Sequence, residues 1–314
     1  TYTLKKMATN PNIHQGADMC DDINCCQAYK TKEYAFASWD DEEENEKWKK
    51  LEDAVNSTKN RVITYHGELI AAFFHANSGG KTENVVYVWG GEEVPYLQSV
   101  DGYEKDKYLD TKIFSKEEFA LLIKDVVDDY AQKEEDITIV DYTGSGRVNH
   151  VKIGDKTIKA TELRKMIGIR STNFRIEKDK DGILTFYTVG YGHGVGMSQF
   201  GAGYMATKLN QPYYNILRHY YSGINLGTIP VTICGEEVKQ TFWAPIGRAQ
   251  IVVTDTNAPK IAVMINGREH ELPIAKSVFQ KEYKIDISRF IDDGANTVVF
   301  HPPTLGRSVT LYIE

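Results

Sequence analysis

The stretch that bears most directly on the fold is Tyr191 to Ala206, YGHGVGMSQFGAGYMA. Four glycines lie within residues 190–196, and the residues that follow have the pattern of a helix. Glycine lets backbone N–H groups approach a ligand closely, and a helix starting near Gly196 would add an electropositive end. This interpretation places His193, Ser198 and Gln199 at the mouth of a site. In the alternative interpretation, the glycines serve only the packing of a tight strand-to-helix connection.

A nucleotide-binding loop is not indicated here, because GHGVGMS lacks a Lys-Ser/Thr ending and an acidic ribose-binding partner after a following strand. A second polar stretch, HANSGGKTE from His75 to Glu83, follows the apolar run from Ile70 to Phe74. Polar loops at strand ends are usual places for site residues. A plain turn around Ser78-Gly79-Gly80 would explain the same residues without a site.

The overall composition limits the classes of partner. The chain has 314 residues, of which 44 are acidic and 37 basic, and its net charge is −7. A nucleic-acid backbone is therefore not an expected partner, since phosphate binding needs a basic face. No run of 18 apolar residues is present, so no membrane span is expected. The chain opens on TYTLKK without Met or a signal peptide, which is typical of a mature or trimmed piece and leaves export open.

Helix and hairpin patterns alternate through the first part of the chain. Ser115-x-x-Glu118 is a capping box that opens a helix through about Gln132, and His66-Gly67 predicts a hairpin turn. Trp48, Leu51 and Val55 are spaced three and four apart among charged residues, which predicts a surface amphipathic helix.

The pattern changes near Leu226. From about Thr228 onward, short strands are separated by turn residues, as in a small antiparallel β-sandwich. The length of the chain also favours two domains. We therefore predict an α+β fold with a mixed domain over residues 1–226 and a sandwich-like domain over residues 227–314.

Three of the four cysteines crowd one short segment with a histidine, namely His14, Cys20, Cys25 and Cys26. Thiolate and imidazole ligands within a dozen residues can form a tetrahedral zinc site. The spacing matches no common zinc finger, in which paired ligands are typically two to four residues apart. A Cys20–Cys25 or Cys20–Cys26 disulfide, or free thiols, are the alternatives.

Taken together, these motifs resemble one known family. HANSGGKTE, VWGGEEVPYLQSV, GYGHGVGMSQFGAGYMA and YYNILRHYYSGINL are similar to stretches of stage II sporulation protein D and the amidase enhancer LytB. The likeness runs from Thr1 to about Leu226, roughly seventy per cent of the chain. It implies that the glycine-rich bend lines a glycan cleft whose residues are His75, Ser78, Gly79, Thr82, Glu83, Tyr191, His193, Gly194, Gly196, Met197, Ser198 and Gln199.

The resemblance also implies an activity and a location. Members of the sporulation branch are lytic transglycosylases that cut the MurNAc–GlcNAc link of peptidoglycan stripped of its peptides and leave 1,6-anhydro products. The implied partners are peptidoglycan glycan strands, with an amidase or another cell-wall protein as a further candidate. The implied location is extracytoplasmic, in the cell envelope of a Gram-positive bacterium.

The same resemblance implies a zinc site in the cysteine-containing segment. Some members of the family carry zinc on a loop of His and Cys residues, and His14, Cys20 and Cys26 fit that pattern. Cys25 departs from it, since the family pattern has His there, although Cys remains a competent ligand. The resemblance therefore implies a structural zinc ion and no organic cofactor.

The family's catalytic acid is a Glu on a helix that runs about E-A-L-K-A-Q-A-x-A-A-R-T-Y. Thr1-Tyr2 matches the last two letters of this pattern, so we expect the family Glu upstream of residue 1 and assign no catalytic residue. Glu83 is the only acid inside the two motifs, and we interpret it as a cleft-shaping or substrate-binding residue.

A different class of function fits the same motifs. The chain would then be a non-catalytic glycan binder or amidase enhancer, in which the cleft holds the strand and the C-terminal sandwich recruits a partner. In either class, aromatic residues such as Trp89, Tyr96 and Tyr191 are candidates for stacking on sugars, and packing is the alternative role for each of them.

Overall fold

The computed structural model describes residues 1–10, 14, 16–22, 25–39, 43–104, 108–126, 137–244, 249–274, 282–292, 294–304 and 306–314. Helices and mostly antiparallel strands are interspersed along these ranges, which confirms the predicted α+β class. The α-helices of the described residues are α1 (Tyr2–Thr9), α2 (Lys32–Ala37), α3 (Glu44–Ser57), α4 (Val85–Trp89), α5 (Lys116–Ile123), α6 (Ala160–Ile167), α7 (Gln199–Thr207) and α8 (Tyr213–Tyr220).

The strands belong to several small sheets. In chain order they are β1 (Arg61–Tyr65), β2 (Glu68–Leu69), β3 (Phe74–His75), β4 (Leu109–Phe114), β5 (Ile137–Tyr142), β6 (Val148–Ile153), β7 (Lys156–Lys159), β8 (Phe174–Lys178), β9 (Leu184–Val189), β10 (Met197–Ser198), β11 (Asn225–Thr228), β12 (Val231–Ile233), β13 (Val238–Ala244), β14 (Gln250–Thr256), β15 (Lys260–Ile265), β16 (Arg268–Pro273), β17 (Tyr283–Asp286), β18 (Gly294–Phe300) and β19 (Val309–Ile313).

The chain divides into two compact units. One unit combines residues 1–71 with residues 225–314, and the other consists of residues 72–224. The division into domains 1–226 and 227–314 that the sequence suggests stays a prediction.

In the unit formed by residues 72–224, two antiparallel sheets and two helices share a hydrophobic core. The sheets have the strand orders β4-β9-β8 and β5-β6-β7, while β3 and β10 form a parallel pair. The capping box at Ser115 is present and explains why α5 begins at Lys116. Phe119 and Ile123 of this helix lie in the core, whereas Leu122 is 40% exposed. Residues 127–132 of the predicted helix lie outside the described residues.

In the other unit, β11, β1 and β2 form a three-stranded sheet, and His66 and Gly67 both have positive φ, as the predicted hairpin turn requires. Two four-stranded antiparallel sheets, β12-β19-β14-β17 and β13-β18-β15-β16, bury their apolar side chains in one common core. The helix predicted from Trp48, Leu51 and Val55 exists as α3, but it buries none of its side chains. Leu51 and Val55 are 50% and 69% exposed, so the spacing identified the helix and not a buried face.

Candidate functional site

The glycine-rich bend joins β9 to β10 and α7 within the unit of residues 72–224. Gly190, Gly192, Gly194 and Gly196 all have positive φ, which only glycine adopts without strain. A Cβ at Gly196 would lie 2.1 Å from the Phe73 carbonyl oxygen. At Gly194 it would lie 2.8 Å from the Arg147 guanidinium. A side chain at Gly194 or Gly196 would therefore collide with neighbouring groups of the protein.

The helix after the bend begins later than the sequence suggested. It starts at Gln199 rather than near Gly196, because Ser198 acts as its N-cap and its hydroxyl accepts a hydrogen bond from the Gly201 N–H at 3.2 Å. The intervening Met197–Ser198 forms the short strand β10 instead.

The two motifs found in the sequence lie directly side by side. Strand β10 pairs in parallel with β3, placing Ser198 opposite His75. Asn77 and Tyr191 exchange two backbone hydrogen bonds of 3.0 and 2.8 Å. The Glu83 N–H donates to the Gly194 carbonyl oxygen at 2.7 Å. The structure thus brings HANSGGKTE and the bend into one continuous assembly.

A buried glutamate that the sequence analysis missed links the two motifs. Glu104 accepts hydrogen bonds from the Ser78 N–H at 2.7 Å and from the Ser78 hydroxyl at 2.6 Å. It also accepts a short hydrogen bond from the Ser198 hydroxyl. Both serines are fully buried and Glu104 is nearly so. Ser78 and Ser198 are therefore occupied inside the fold and are not presented as free hydroxyls.

Glu83 is likewise occupied. One of its carboxylate oxygens accepts from the Asn84 N–H at 2.8 Å, and the other accepts from the hydroxyls of Thr143 at 2.6 Å and Ser145 at 2.7 Å. The side chain is only 2% exposed. Glu83 thus joins the first motif to the β5–β6 turn.

Arg147 provides the positive charge between these carboxylates, and the sequence analysis missed it too. It is 1% exposed, and its Nη2 donates to the Ser78 carbonyl oxygen at 2.5 Å. Burial lowers the pKa of Arg147 to about 10, and the charges of Glu83 and Glu104 act against that shift. The residue comes from a hairpin turn whose pattern predicts only a turn, so no local signal identified it.

The two motif histidines are held by backbone groups. The Val195 N–H donates to Nδ1 of His193 at 3.0 Å, which makes this nitrogen an acceptor. Nδ1 of His75 lies 3.2 Å from the Val195 carbonyl oxygen, so there the Nδ1 carries the proton. Burial lowers the pKa of His193 to about 4, and the charges of Arg164 and Arg147 add to that shift. Burial also lowers the pKa of His75 well below its ordinary value, so both rings are neutral near pH 7.

The neutral His193 predicts a specific pH dependence of stability. Its pKa is about 6.5 in an unfolded chain and about 4 in the fold, so acid favours the unfolded state. The contribution of His193 is complete above pH 6.5 and is lost as the pH falls, by about 2 kcal/mol at pH 5. Urea unfolding at pH 7 and pH 5 measures this loss, which His193→Gln should reduce and the partly exposed control His219→Gln should retain. Equal pH dependence in His193→Gln and the parent protein would contradict the assignment.

The predicted cleft residues separate into an inner set and a surface set. Those that the fold buries are His75, Ser78, Gly79, Thr82, Glu83, Gly194, Gly196 and Ser198. Tyr191 and Gln199 are exposed, while His193 and Met197 are partly exposed. Only the side chains of this surface set are accessible to a ligand.

Two aromatic surfaces accompany that exposed set. Trp89 is 51% exposed, and its ring centroid lies 4.7 Å from that of Phe73 and 5.0 Å from that of His193. Tyr191 is 37% exposed and lies 5.5 Å from the Tyr108 ring. Exposed rings held in place by neighbouring rings offer flat, rigid and apolar faces to a ligand. Tyr96, the third aromatic candidate, is partly buried.

A candidate metal centre lies in the other unit. The ligand atoms of His14, Cys20, Cys25 and Cys26 all lie within 4.8 Å of one another. Nε2 of His14 is 3.1 Å from the Cys26 sulfur and 3.8 Å from the Cys25 sulfur, and the two sulfurs are 4.0 Å apart. The three clustered cysteines are free thiols, so the structure forms neither of the disulfides considered from the sequence.

Hydrogen bonds polarise this cluster. A hydrogen bond from the Cys20 backbone, together with hydrogen bonds from the side chains of His14 and Lys6, lowers the pKa of Cys26 to about 6. A thiolate is the form of cysteine that binds metal. The donor set of three sulfurs and one imidazole is one that zinc accepts.

Comparison with known proteins agrees with the motifs. The family model for SpoIID, stage II sporulation protein, matches residues 1–65. Stage II sporulation protein D of Bacillus subtilis (strain 168) is 33% identical over 230 residues, which cover 72% of this chain and 65% of that protein. The chain is similar to stage II sporulation protein D. The counterpart from Bacillus amyloliquefaciens is 32% identical with the same coverages.

The similarity extends to a second kind of protein. The amidase enhancer of Bacillus subtilis (strain 168) is 30% identical, over 55% of this chain and 32% of its own length. The resemblance to both proteins that the sequence motifs indicated is therefore confirmed. The matched region spans about 65% of the length of the Bacillus sporulation proteins. Among the described residues, no helix is both long and apolar enough to cross a membrane.

Proposed function

We propose that this chain acts on the bacterial cell wall, outside the cytoplasm, and that its ligand is the glycan strand of peptidoglycan stripped of its peptides. The observation that carries the proposal is the aromatic surface that Trp89 of α4 forms with His193 of the glycine-rich bend. Sugar rings present apolar faces, and binding sites combine such aromatic surfaces with a few polar groups. Similarity to stage II sporulation protein D supports a role in the sporulation branch of wall metabolism.

The reaction we propose is that of a lytic transglycosylase, which needs one carboxylic acid. That acid protonates the glycosidic oxygen and then takes the proton of the muramyl C6 hydroxyl, which closes the 1,6-anhydro ring. Such an acid must reach the substrate and sit in an apolar setting. Glu83 and Glu104 meet neither condition, because hydrogen-bond donors surround both and the fold buries both. We therefore propose that neither is the proton donor.

We further propose that His14, Cys20, Cys25 and Cys26 bind one structural zinc ion. In a tetrahedral site with Zn–S of about 2.3 Å and Zn–N of about 2.0 Å, the ligand atoms are roughly 3.5–3.8 Å apart. The separations among His14, Cys25 and Cys26 are 3.1, 3.8 and 4.0 Å, and all four ligand atoms, including that of Cys20, lie within 4.8 Å of one another. Bound there, zinc would cross-link the segment, and the four protein ligands would leave no position for a catalytic water.

The test of the proposed function measures binding and cleavage separately. Purified 314-residue protein is titrated with strands of alternating GlcNAc and MurNAc whose peptides have been removed. We expect binding that Trp89→Ala weakens by about tenfold, since loss of a central aromatic contact typically costs more than 1 kcal/mol. Tyr87→Ala, on the same helix and 41% exposed, is the matched control and should bind as the parent does. Absence of any binding to the strands would refute the proposal.

Cleavage is followed by mass spectrometry of the incubated strands. Because neither buried glutamate is placed to donate a proton, we expect any release of anhydromuramyl products to be unchanged in Glu83→Gln and Glu104→Gln. If it releases them and Glu83→Gln stops the release, then Glu83 is the acid and our assignment is wrong.

A second candidate function is supported by the similarity to the amidase enhancer. In that case the chain holds the strand without cutting it and increases the rate of a wall amidase. Addition of the protein to an amidase acting on intact peptidoglycan distinguishes the two functions, because only the enhancer raises the rate of peptide release.

A further inference from the structure

Three arginines lie next to the glycine-rich bend, and they differ in their partners. Arg147 faces the charges of Glu83 and Glu104. Arg170 lies 3.7 Å from an Asp110 carboxylate oxygen. Arg164 forms no ion pair within the described part of the chain. Of the three arginines, it is therefore the one whose positive charge has no acidic partner among the described residues.

The position of Arg164 is set by its backbone contact. It projects from α6, and its Nε donates to the Arg170 carbonyl oxygen at 3.2 Å. The same carbonyl accepts the Gly192 N–H at 3.0 Å, which ties the guanidinium to the residue preceding His193. Only Nε is used in this contact, so both terminal nitrogens stay available as donors.

The surroundings of Arg164 belong to the exposed set of the site. The Tyr191 ring stacks under Arg170, whose Cζ lies 4.7 Å from the ring centroid, and its hydroxyl is 3.0 Å from Nη1 of Arg170. Burial lowers the pKa of Arg164, Tyr191 opposes that shift, and no carboxylate contributes to it. A partly buried cation without a counter-charge, beside exposed groups, is the arrangement of a site that receives an anion.

We propose that Arg164 is the anion subsite of the glycan surface and binds the lactyl carboxylate of a muramyl residue that carries no peptide. The inference rests on the proposed function and deepens it. In a peptide-bearing strand the lactyl carbonyl is part of a neutral amide, whereas in a stripped strand it is a free carboxylate. The guanidinium binds a carboxylate through two parallel N–H donors, and an amide can reproduce neither the charge nor this geometry.

The experiment compares three probes by calorimetric titration. The first is a tetrasaccharide of two GlcNAc–MurNAc units with free lactyl carboxylates. The second is the same tetrasaccharide with each carboxylate converted to its methylamide, and the third is chitotetraose. We expect the parent protein to bind the carboxylate form about tenfold more tightly than the methylamide, as hydrogen bonds between charged groups warrant.

Variants then assign the preference to its residue. Arg164→Gln should bind the carboxylate and methylamide forms equally, and its affinity for chitotetraose should equal that of the parent. Arg164→Lys keeps the charge without the paired donors and should show an intermediate preference. Lys165→Gln removes the same charge from the neighbouring exposed position and should retain the full preference.

The outcomes separate the subsite from the proposed function. If the parent binds the carboxylate and methylamide forms equally, the subsite is refuted while glycan binding stands. If the parent binds none of the three probes, both fail. The comparison of probes on the parent protein does not depend on whether Arg164→Gln folds, so the inference can be overturned even if that variant is unstable.

Discussion

Replacing Gly201 by alanine is expected to lower the free energy of unfolding by about 3 kcal/mol or more, whereas alanine at Gly203 leaves it unchanged or raises it by up to about 1 kcal/mol. Both glycines lie in α7 without positive φ, so conformational strain does not distinguish them. A Cβ at Gly201 would lie 1.8 Å from the Gly102 carbonyl oxygen and 2.2 Å from the Tyr220 hydroxyl. At Gly203 no atom lies within 4 Å of the added carbon.

The Gly201 contact also bears on the site. Gly102 stands two residues before Glu104, and the Tyr220 hydroxyl donates to the Gly102 carbonyl oxygen at 2.8 Å. Pushing α7 away from Gly102 would therefore stretch the hydrogen bonds that join Ser198 and Ser78 to Glu104. We expect Gly201→Ala to weaken binding to glycan strands as well as stability.

Urea unfolding at pH 7 gives both free energies, and titration with stripped strands gives the affinities. Gly203→Ala is the matched control because it makes the same change in the same helix. Equal stabilities of the two variants would show that α7 does not pack against Gly102 as described.

Local signals in the sequence were sufficient where a few neighbouring residues determine the backbone. The capping box at Ser115 needs only the side chains three residues apart, and it formed as predicted. The turn at His66-Gly67 was equally local. The helix after the bend was placed three residues too early, because Ser198 competes for the N-cap and the Met197–Ser198 pair is held as a strand against Phe74–His75.

The site was predictable only in part, for a physical reason. The motif residues were found because two polar, glycine-rich stretches are unusual in a sequence. Glu104 and Arg147 were missed because their role depends on contacts across long sequence separations, 94 residues for Glu104 with Ser198 and 69 for Arg147 with Ser78. No local pattern encodes such a contact. The burial of Glu83 was also not predictable, because nothing in the sequence HANSGGKTE distinguishes a buried glutamate from an exposed one.

The sequence motifs identify related proteins, whereas the structure shows which motif residues are exposed to a ligand. The motifs led to the relatives, while the structure shows that most of the motif residues hold the bend in place and that the exposed set is small. Trp89, which is exposed, and Arg164, which has free donors, are therefore better placed to contact a ligand than the buried Ser78 or Ser198.

The cluster of His14, Cys20, Cys25 and Cys26 predicts the metal content of the protein. We expect tag-free protein to contain about one zinc ion per chain and the Cys20→Ser, Cys26→Ser double variant to contain none, as measured by elemental analysis.

Among the described residues of 1–26, only Cys26 is buried, and α1 buries no side chain, so this segment has almost no apolar core of its own. Where a core is lacking, metal-binding free energy supplies folding free energy, and its removal loosens the segment. Chelation should therefore speed tryptic cleavage after Lys5, Lys6 and Lys30, while the two sheets of residues 228–314, which have their own core, should resist.

Cys234→Ser is the control, because Cys234 is exposed and lies outside the cluster. It should keep the full zinc content and the protease resistance of the parent, which separates loss of a ligand from loss of a thiol. Zinc that persists in the double variant would show that other residues bind it. A parent protein that contains no zinc after refolding in its presence, or a disulfide at Cys20 under reducing conditions, would show that the four side chains converge for another reason than a metal ion.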